Sequence, residues 1–178
     1  MRRIILGSRG TGILAETAQG LFIVDPYDFS VSRELLIRGV YDPGEIKVFR
    51  SVLGPDATLV VVGCHIGSIL IPLCPEVRRA IGFEPDPCNF RLLELNLLLN
   101  RCSNAEIHRM AVGSAPQTAT ILRNPLNTGN TRVQVSGAAG ETVEMTSLDT
   151  LPGLDSADLV IMDIEGGEPA AIRGARRL

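Results

Sequence analysis

The pattern of apolar and polar positions divides the chain into two parts. Up to residue 56 the apolar runs are short and are separated by turn residues, which predicts a β-hairpin followed by two short helices. From residue 57 onwards, short β-branched runs alternate with longer helical stretches, as is typical of parallel βαβ units. We therefore predict a hairpin and helical lead-in over residues 1–56 and an α/β domain over residues 57–178.

Apolar runs and helical periodicity predict the order of the strands and helices along the chain. Residues 59–62 and 158–162 are rich in Val, Leu and Ile, which is typical of strands buried in a parallel sheet. Pro72 and Pro75 interrupt the helix after the first of these strands, so that helix should be short or bent. The remaining strands are predicted over residues 12–17, 21–24, 80–83, 106–112, 118–122, 131–135 and 142–145, and the remaining helices over residues 30–38, 43–53 and 87–100 and from residue 168 onwards.

Candidate ligand-binding residues follow the first two strands of the predicted parallel sheet. In open α/β sheets, ligands bind beyond the carboxyl ends of the strands. The loop Gly63-Cys64-His65-Ile66-Gly67 has glycines four apart, which allows the backbone to approach a ligand closely, although such a turn is also common as a purely structural feature. Glu84 follows the second strand, about 20 residues after Gly63, where a carboxylate accepts hydrogen bonds from ribose hydroxyls or merely caps the next helix. The spacing favours an adenosine-bearing cofactor, with NAD and S-adenosylmethionine (SAM) as the candidates.

Composition narrows the range of partners. The 17 Lys and Arg residues are scattered and are balanced by 20 Asp and Glu residues, which disfavours nucleic acid. No apolar run approaches the roughly 18 residues of a membrane span, so we expect neither membrane insertion nor export. The four cysteines form no CxxC pair and the chain has only two histidines, so we expect no metal site, free thiols and a cytoplasmic location.

Several segments, in this order, resemble the FkbM-type family of SAM-dependent methyltransferases. They are VVVGCHIG at residues 60–67, GFEPDP at residues 82–87, the helix at residues 89–100, SLD at residues 147–149 and IMDIEG at residues 161–166, with the lead-in around residues 35–45. The likeness extends over about residues 12 to 177. It implies an α/β fold with the Rossmann-like sheet of class I methyltransferases and transfer of a methyl group to oxygen on a small hydroxylated acceptor, such as a sugar or another natural product.

The resemblance also implies roles for individual residues. We expect the glycine loop to hold the amino-acid part of SAM and the acidic residue after the second strand to hold the ribose. The expected cofactor-binding residues are Gly63, Cys64, His65, Gly67, Glu84 and Pro85. Asp163 and Glu165 are the candidates for the catalytic base, because a hydroxyl acceptor has a proton to lose. Both could equally hold loop backbone or cap the last helix.

Two positions depart from the family's pattern. Val61 stands where the family usually has an acidic residue that helps to hold the methionyl ammonium group, so SAM binding should be weak or lost. His65 stands where the family usually has Asn. A histidine there is either a polar substitute or a base, although a loop histidine more commonly faces solvent.

The sequence ends one helix after its fourth parallel strand, which leads to two further expectations. The sheet should be truncated after that strand and helix, as in a fragment of a longer protein. The strand at residues 159–162 should then present an apolar edge through which copies of the chain self-associate.

Two other functions remain open, namely an NAD-dependent Rossmann oxidoreductase and a degenerate, non-catalytic binding module.

Overall fold

The computed structural model describes residues 10–123, 131–135 and 140–178. These residues form ten strands and five α-helices. The strands are β1 (Ile13–Thr17), β2 (Gly20–Val24), β3 (Thr58–Val62), β4 (Arg79–Phe83), β5 (Ala105–His108), β6 (Ala111–Val112), β7 (Gln117–Leu122), β8 (Arg132–Gln134), β9 (Glu141–Thr146) and β10 (Leu159–Met162). The helices are α1 (Val31–Arg38), α2 (Pro43–Val52), α3 (Leu70–Leu73), α4 (Pro87–Leu99) and α5 (Glu168–Arg173).

A parallel sheet with the strand order β10-β3-β4-β5 forms the centre of the α/β fold. The chain runs from β3 to β4 and β5 on one side and returns to β10 on the other side of β3. This reversal of direction between β3 and β10 is the place where open α/β sheets form a crevice at the carboxyl ends of their strands. The predicted Rossmann-like fold class is confirmed.

The alternation of side chains along β3 supplies two apolar cores, one on each face of the sheet. All five residues of β3 are buried, as the run of β-branched residues predicted. Leu59 and Val61 pack with the hairpin, α1, α3 and α4, whereas Val60 and Val62 pack with Phe83 and α5 on the opposite face. The hairpin and lead-in thus share an apolar core with the parallel sheet, and the division at residue 56 stays a prediction.

Two asparagines of α4 hold the hairpin against the domain. The side chain of Asn96 accepts a hydrogen bond from the backbone N–H of Ile23 (2.6 Å) and donates to its carbonyl (3.1 Å). One turn later, Asn100 makes the same pair of bonds with Leu21, at 2.9 and 2.7 Å. The two amides therefore satisfy one edge of β2 as a neighbouring strand would.

A second sheet, with the order β6-β9-β7-β8, corrects one predicted element. The single strand predicted over residues 106–112 is wrong, because the chain leaves the parallel sheet after His108 and continues as β6 beside β9. His108 ends β5 with its ring stacked on Phe83 at a centroid distance of 5.1 Å. The polar run of residues 124–130 between two predicted strands predicts an antiparallel hairpin. The antiparallel pairing of β7 with β8 confirms it, and the polar run itself lies outside the described residues.

The helix after β3 is short, as its prolines predicted, and β10 is less buried than predicted. α3 has four residues and passes into a 3₁₀ turn at Cys74–Glu76. The four residues of β10 are each half-buried, because within the described part of the chain β10 pairs with β3 alone and is an edge strand. None of the helices described here is long and apolar enough to cross a membrane.

The edge position of β10 leads to a prediction about association. Raising the concentration of the 178-residue chain should raise its mean molar mass, because the open edge of β10 offers unpaired backbone groups beside half-buried Val and Ile. Static light scattering over a concentration series measures this directly. A constant monomer mass up to high concentration would contradict the prediction.

Candidate functional site

Glu84, the residue directly after β4, is the best-defined polar group at the carboxyl edge of the parallel sheet. Its side chain is buried, with 5% of the residue exposed. One carboxylate oxygen accepts the backbone N–H of His65 at 2.7 Å, and the other accepts the backbone N–H of Asp86 at 3.0 Å and the side-chain amide of Asn89 at 3.5 Å. The carboxylate therefore connects the loop after β3 with the loop after β4.

The hydrogen bonding of Glu84 leaves room for a ligand. A carboxylate has about four lone-pair sites, and the two backbone N–H groups with the weaker amide contact do not fill them all. Burial raises the pKa of Glu84 to about 7, although the N–H donors of Asp86 and His65 act in the opposite direction. A carboxylate of this kind is ready to accept hydrogen bonds from a pair of neighbouring hydroxyl groups, such as those of a ribose.

Gly63 allows the ends of β3 and β10 to approach each other. It has a φ of 89°, and a Cβ atom at this position would overlap the carbonyl oxygen of Asp163. The backbone N–H groups of Gly63 and Cys64 both donate to the carbonyl of Phe83 at 2.9 Å, so they are used within the sheet. Gly63 lines a cavity at the carboxyl ends of β3 and β10, and its lack of a side chain determines the shape of the crevice.

Gly67, the second glycine of the loop, lies away from that cavity. Its φ is 93°, and a Cβ atom would lie 2.7 Å from a methyl carbon of Ile71 and 2.9 Å from one of Leu93. Gly67 therefore allows close packing of the loop against α3 and α4. The other predicted site residues all line one cavity: Gly63, Cys64, His65, Glu84, Pro85, Asp163 and Glu165.

Cys64 and His65 are both buried within the loop. The thiol of Cys64 donates to the carbonyl of Val61 at 3.3 Å, and burial raises its pKa, so the thiol stays protonated. His65 is 8% exposed and adopts a φ of 51°. Burial lowers the pKa of its imidazole to about 4, against the opposing effects of Asp28 and Asp86. The expectation of a solvent-facing histidine is wrong, because the backbone N–H that binds Glu84 holds this residue inside the loop.

Two cavities meet above the carboxyl ends of β3 and β10. The first has a volume of about 130 Å³, and the residues that matter for its chemistry are Tyr41, Val61, Gly63, Glu84, Asp163 and Glu165. The second has a volume of about 430 Å³, lies on the face of α5 and is lined mainly by apolar groups, among them Phe83, Met110, Val112 and Met145. Gly63 and Pro85 line both cavities. A long ligand with one polar and one flat apolar end matches this arrangement.

Asp163 and Glu165, the candidates for a base, follow β10. The backbone N–H of Asp163 donates to Val62 at 3.0 Å, which continues the ladder between β10 and β3. Glu165 has a φ of 54° and begins the turn into α5. The loop backbone is held by a different carboxylate, since Glu168 accepts the N–H groups of Ile164 at 2.9 Å and Gly166 at 3.0 Å. Asp163 and Glu165 both line the first cavity.

Tyr41, which no sequence pattern predicts as a site residue, lines the first cavity. The side-chain amide of Gln19 bonds to both the N–H and the carbonyl of Tyr41, at 2.7 and 2.6 Å, which places Tyr41 beside the crevice. Burial raises the pKa of its phenol, and the charge of Asp163 raises it further. Tyr41 belongs to the lead-in around residues 35–45 that resembles the FkbM-type family, but a single tyrosine in that segment does not indicate a site.

The loop after β4 is also tied to the second sheet. Asp86 caps α4 by accepting the N–H groups of Cys88 at 2.7 Å and Asn89 at 3.3 Å. Its other oxygen forms an ion pair with Arg123 of the second sheet, and Arg123 also binds Glu141 at 2.7 Å. This bridge holds the segment that contains Glu84 and Pro85 against β7 and β9.

Comparison with known proteins gives the class of this chain. The family described as the methyltransferase FkbM domain matches residues 62–178, which is more than half of the chain. The chain therefore belongs to the FkbM methyltransferase family, as its motifs predicted. The comparison with curated proteins gave no match.

Solved structures share the fold of this chain. The chain is similar to the FkbM methyltransferase from Methylobacillus flagellatus KT, with 22% identity and a TM-score of 0.50 over 75% of this chain and 36% of that one. It is also similar to M. jannaschii TYW2 in complex with AdoMet (20% identity, TM-score 0.45, 55% of this chain and 42% of that one). A third is the M. jannaschii tRNA m1G37 methyltransferase (19%, 0.44, 57% and 28%). The chain spans less than half the length of each of these structures.

Replacing Gly63 with Ala tests the contact between the ends of β3 and β10. We expect Gly63→Ala to lower the free energy of unfolding by more than about 2 kcal/mol, because it adds a clash with Asp163 to the strain of a positive φ. Gly153→Ala is the matched control, since Gly153 has a φ of 73° and open space around it, and should lose only about 1 kcal/mol. Chemical denaturation measures both losses. Equal losses would show that the strand ends do not need this close approach.

Replacing Glu84 with Gln tests the burial of the carboxylate. Because the pKa is about 7 in the folded state and near 4.5 when unfolded, the folded protein holds a proton that the unfolded chain has released between these pH values. Glu84 should therefore lower the free energy of unfolding as pH rises from about 4.5 to 7, by up to about 1.4 kcal/mol per pH unit. Glu84→Gln should remove this dependence, whereas the control Glu94→Gln, at an exposed position of α4, should retain it. Identical pH profiles for wild type and Glu84→Gln would contradict the assignment.

Proposed function

We propose that this chain is the cofactor-binding part of a SAM-dependent methyltransferase that transfers a methyl group to an oxygen of a small hydroxylated acceptor, such as a sugar or another natural product. The observation that carries the proposal is the buried carboxylate of Glu84, which lies between two loops and still has acceptor capacity toward the crevice. Membership of the FkbM methyltransferase family supports the reaction type.

The cavities fit the three parts of the cofactor. Glu84 would accept the two ribose hydroxyls, and Pro85, which lines both cavities, would lie beside the ribose. The larger, apolar cavity with Phe83 and Met110 has the chemistry that a purine ring requires, since flat apolar groups bind where aromatic and aliphatic side chains surround them. The smaller cavity, with its carboxylates, would receive the methionyl end.

The chain's own contribution to the reaction is mainly placement and the removal of a proton. SAM supplies a methyl group on a positively charged sulfur, which reacts with an oxygen nucleophile in line with the breaking bond. The fixed loops after β3 and β4 hold the two ends of the cofactor, so little further ordering is needed when the acceptor approaches. Glu165 and Asp163 line the side of the crevice where the acceptor's hydroxyl proton would be accepted.

The family assignment and Val61 bear on two alternative functions. The FkbM family assignment gives no support to a nicotinamide-dependent oxidoreductase. A degenerate binding module without turnover is favoured by Val61, because an apolar residue there removes a charge from the methionyl end of the crevice. We place the protein in the cytoplasm, since its four cysteines are free thiols, two of them buried.

Binding of S-adenosylhomocysteine, the demethylated product, tests the proposal. We expect calorimetric titration to show binding to the wild type and a loss of about 10- to 100-fold in affinity for Glu84→Gln, the cost of weakened charge-assisted hydrogen bonds to the ribose. The control Glu94→Gln should bind as the wild type does. NAD should not bind to any of the three proteins.

Two outcomes would overturn the proposal in different ways. No binding of S-adenosylhomocysteine to the wild type would remove the cofactor assignment. Binding without transfer of a labelled methyl group from SAM to any hydroxylated acceptor, in a protein extended to the length of its relatives, would instead support the non-catalytic module.

A further inference from the structure

The methionyl end of the crevice lacks a charge on β3 itself. Val61 is buried, with 2% exposed, and its side chain lines the first cavity. In the sheet it lies between Ile161 of β10 and Gly82 of β4, neither of which carries a charge. If the cofactor binds here, its α-ammonium group needs a counter-charge from another strand.

The parallel register brings a carboxylate to this face of the sheet from β10. Ile161 is the direct neighbour of Val61, and Asp163 follows Ile161 by two residues, which places both side chains on the same face. The bond from the N–H of Asp163 to the carbonyl of Val62 continues this register past the end of the strand. Asp163 and Val61 accordingly line the same cavity.

Asp163 is an exposed residue at the mouth of the cavity, and no described neighbour neutralises its carboxylate. Within the part of the chain that the structure describes, it accepts no hydrogen bond and forms no ion pair. Burial raises the pKa of Tyr41 and the charge of Asp163 raises it further; the pKa of Glu45 is raised by burial, then by Asp42 and last by Asp163. Among the described residues that line the first cavity there is neither Lys nor Arg, and burial lowers the pKa of His65 to about 4, so the imidazole there is neutral at pH 7. The electrostatic complement of such a wall is a cation.

We propose that Asp163 is the counter-charge for the α-ammonium group of the cofactor's methionyl part and takes the place of the carboxylate that position 61 lacks. The proposal rests on the proposed function, because it assigns one end of the same cofactor. It makes Asp163 a binding residue and leaves Glu165 as the carboxylate beside the acceptor. A wall of this charge would also hold anionic acceptor groups away from the cavity.

The test compares two ligands that differ only at the methionyl end. S-adenosylhomocysteine has the ammonium and carboxylate groups, whereas 5′-methylthioadenosine keeps the adenosine and the thioether and lacks both. We expect Asp163→Asn to weaken S-adenosylhomocysteine by about 10- to 100-fold in calorimetric titration, as the loss of a charge-assisted hydrogen bond does, and to change 5′-methylthioadenosine by less than about 2-fold. Glu45→Gln, at an exposed carboxylate near Asp163 that does not line the cavity, is the matched control and should change neither affinity.

A second experiment places a carboxylate on β3 in place of the one removed from position 163. In the Asp163→Asn background, Val61→Asp should restore part of the affinity for S-adenosylhomocysteine, and Val61→Asn, which has nearly the same shape without the charge, should not. Restoration by Val61→Asp alone would show that the two positions share one role.

The outcomes separate this inference from the proposed function. Unchanged affinity of Asp163→Asn for S-adenosylhomocysteine would overturn the inference and return Asp163 to the role of a base. Equal losses for both ligands would overturn it as well, because Asp163 would then support the pocket as a whole. If the wild type bound neither ligand, the proposed function itself would fail.

Discussion

The buried carboxylate of Glu84 joins the two loops that define the crevice. A carboxylate removed from water is costly unless hydrogen-bond donors replace the water, and here the backbone N–H groups of His65 and Asp86 do so. These two bonds fix the loop after β3 relative to the loop after β4. The same bond keeps His65 inside, and the ion pair of Asp86 with Arg123 extends the connection to the second sheet.

The crevice itself follows from the topology of the parallel sheet. The chain leaves β3 toward β4 on one side and later reaches β10 on the other side. The connections that follow β3 and β10 therefore run apart beyond the carboxyl ends of these strands. Gly63 lets these ends approach without a side chain between them. The result is a smaller cavity with three carboxylates among its lining residues and a larger cavity beside Phe83 and Met110, with Gly63 and Pro85 in both. The loops after three strands therefore line adjoining cavities.

Local sequence patterns are sufficient for β3, for β10 and for the position of Glu84. Runs of β-branched residues identify β3 and β10, and the spacing from the glycine loop to the acidic residue depends only on one βα unit. The split between β5 and β6 was not predictable, because alternation within residues 106–112 does not say in which sheet each half lies. The burial of His65 and the cavity wall formed by Tyr41 depend on contacts between distant segments, which periodicity does not record. Asn96 and Asn100 lie in the predicted helix, but their bonds to β2 depend on where the hairpin packs, which the sequence of the helix does not show.

The most direct test of the central claim is a map of backbone amide chemical shifts with and without S-adenosylhomocysteine. The account predicts large changes at the amides of His65 and Asp86, which donate to Glu84, and at Ile164 after β10. Amides at the opposite, amino ends of the strands, such as Thr58 and Arg79, should stay unchanged. Changes concentrated away from the carboxyl ends, or none at saturating ligand, would contradict the claim that Glu84 organises a cofactor site.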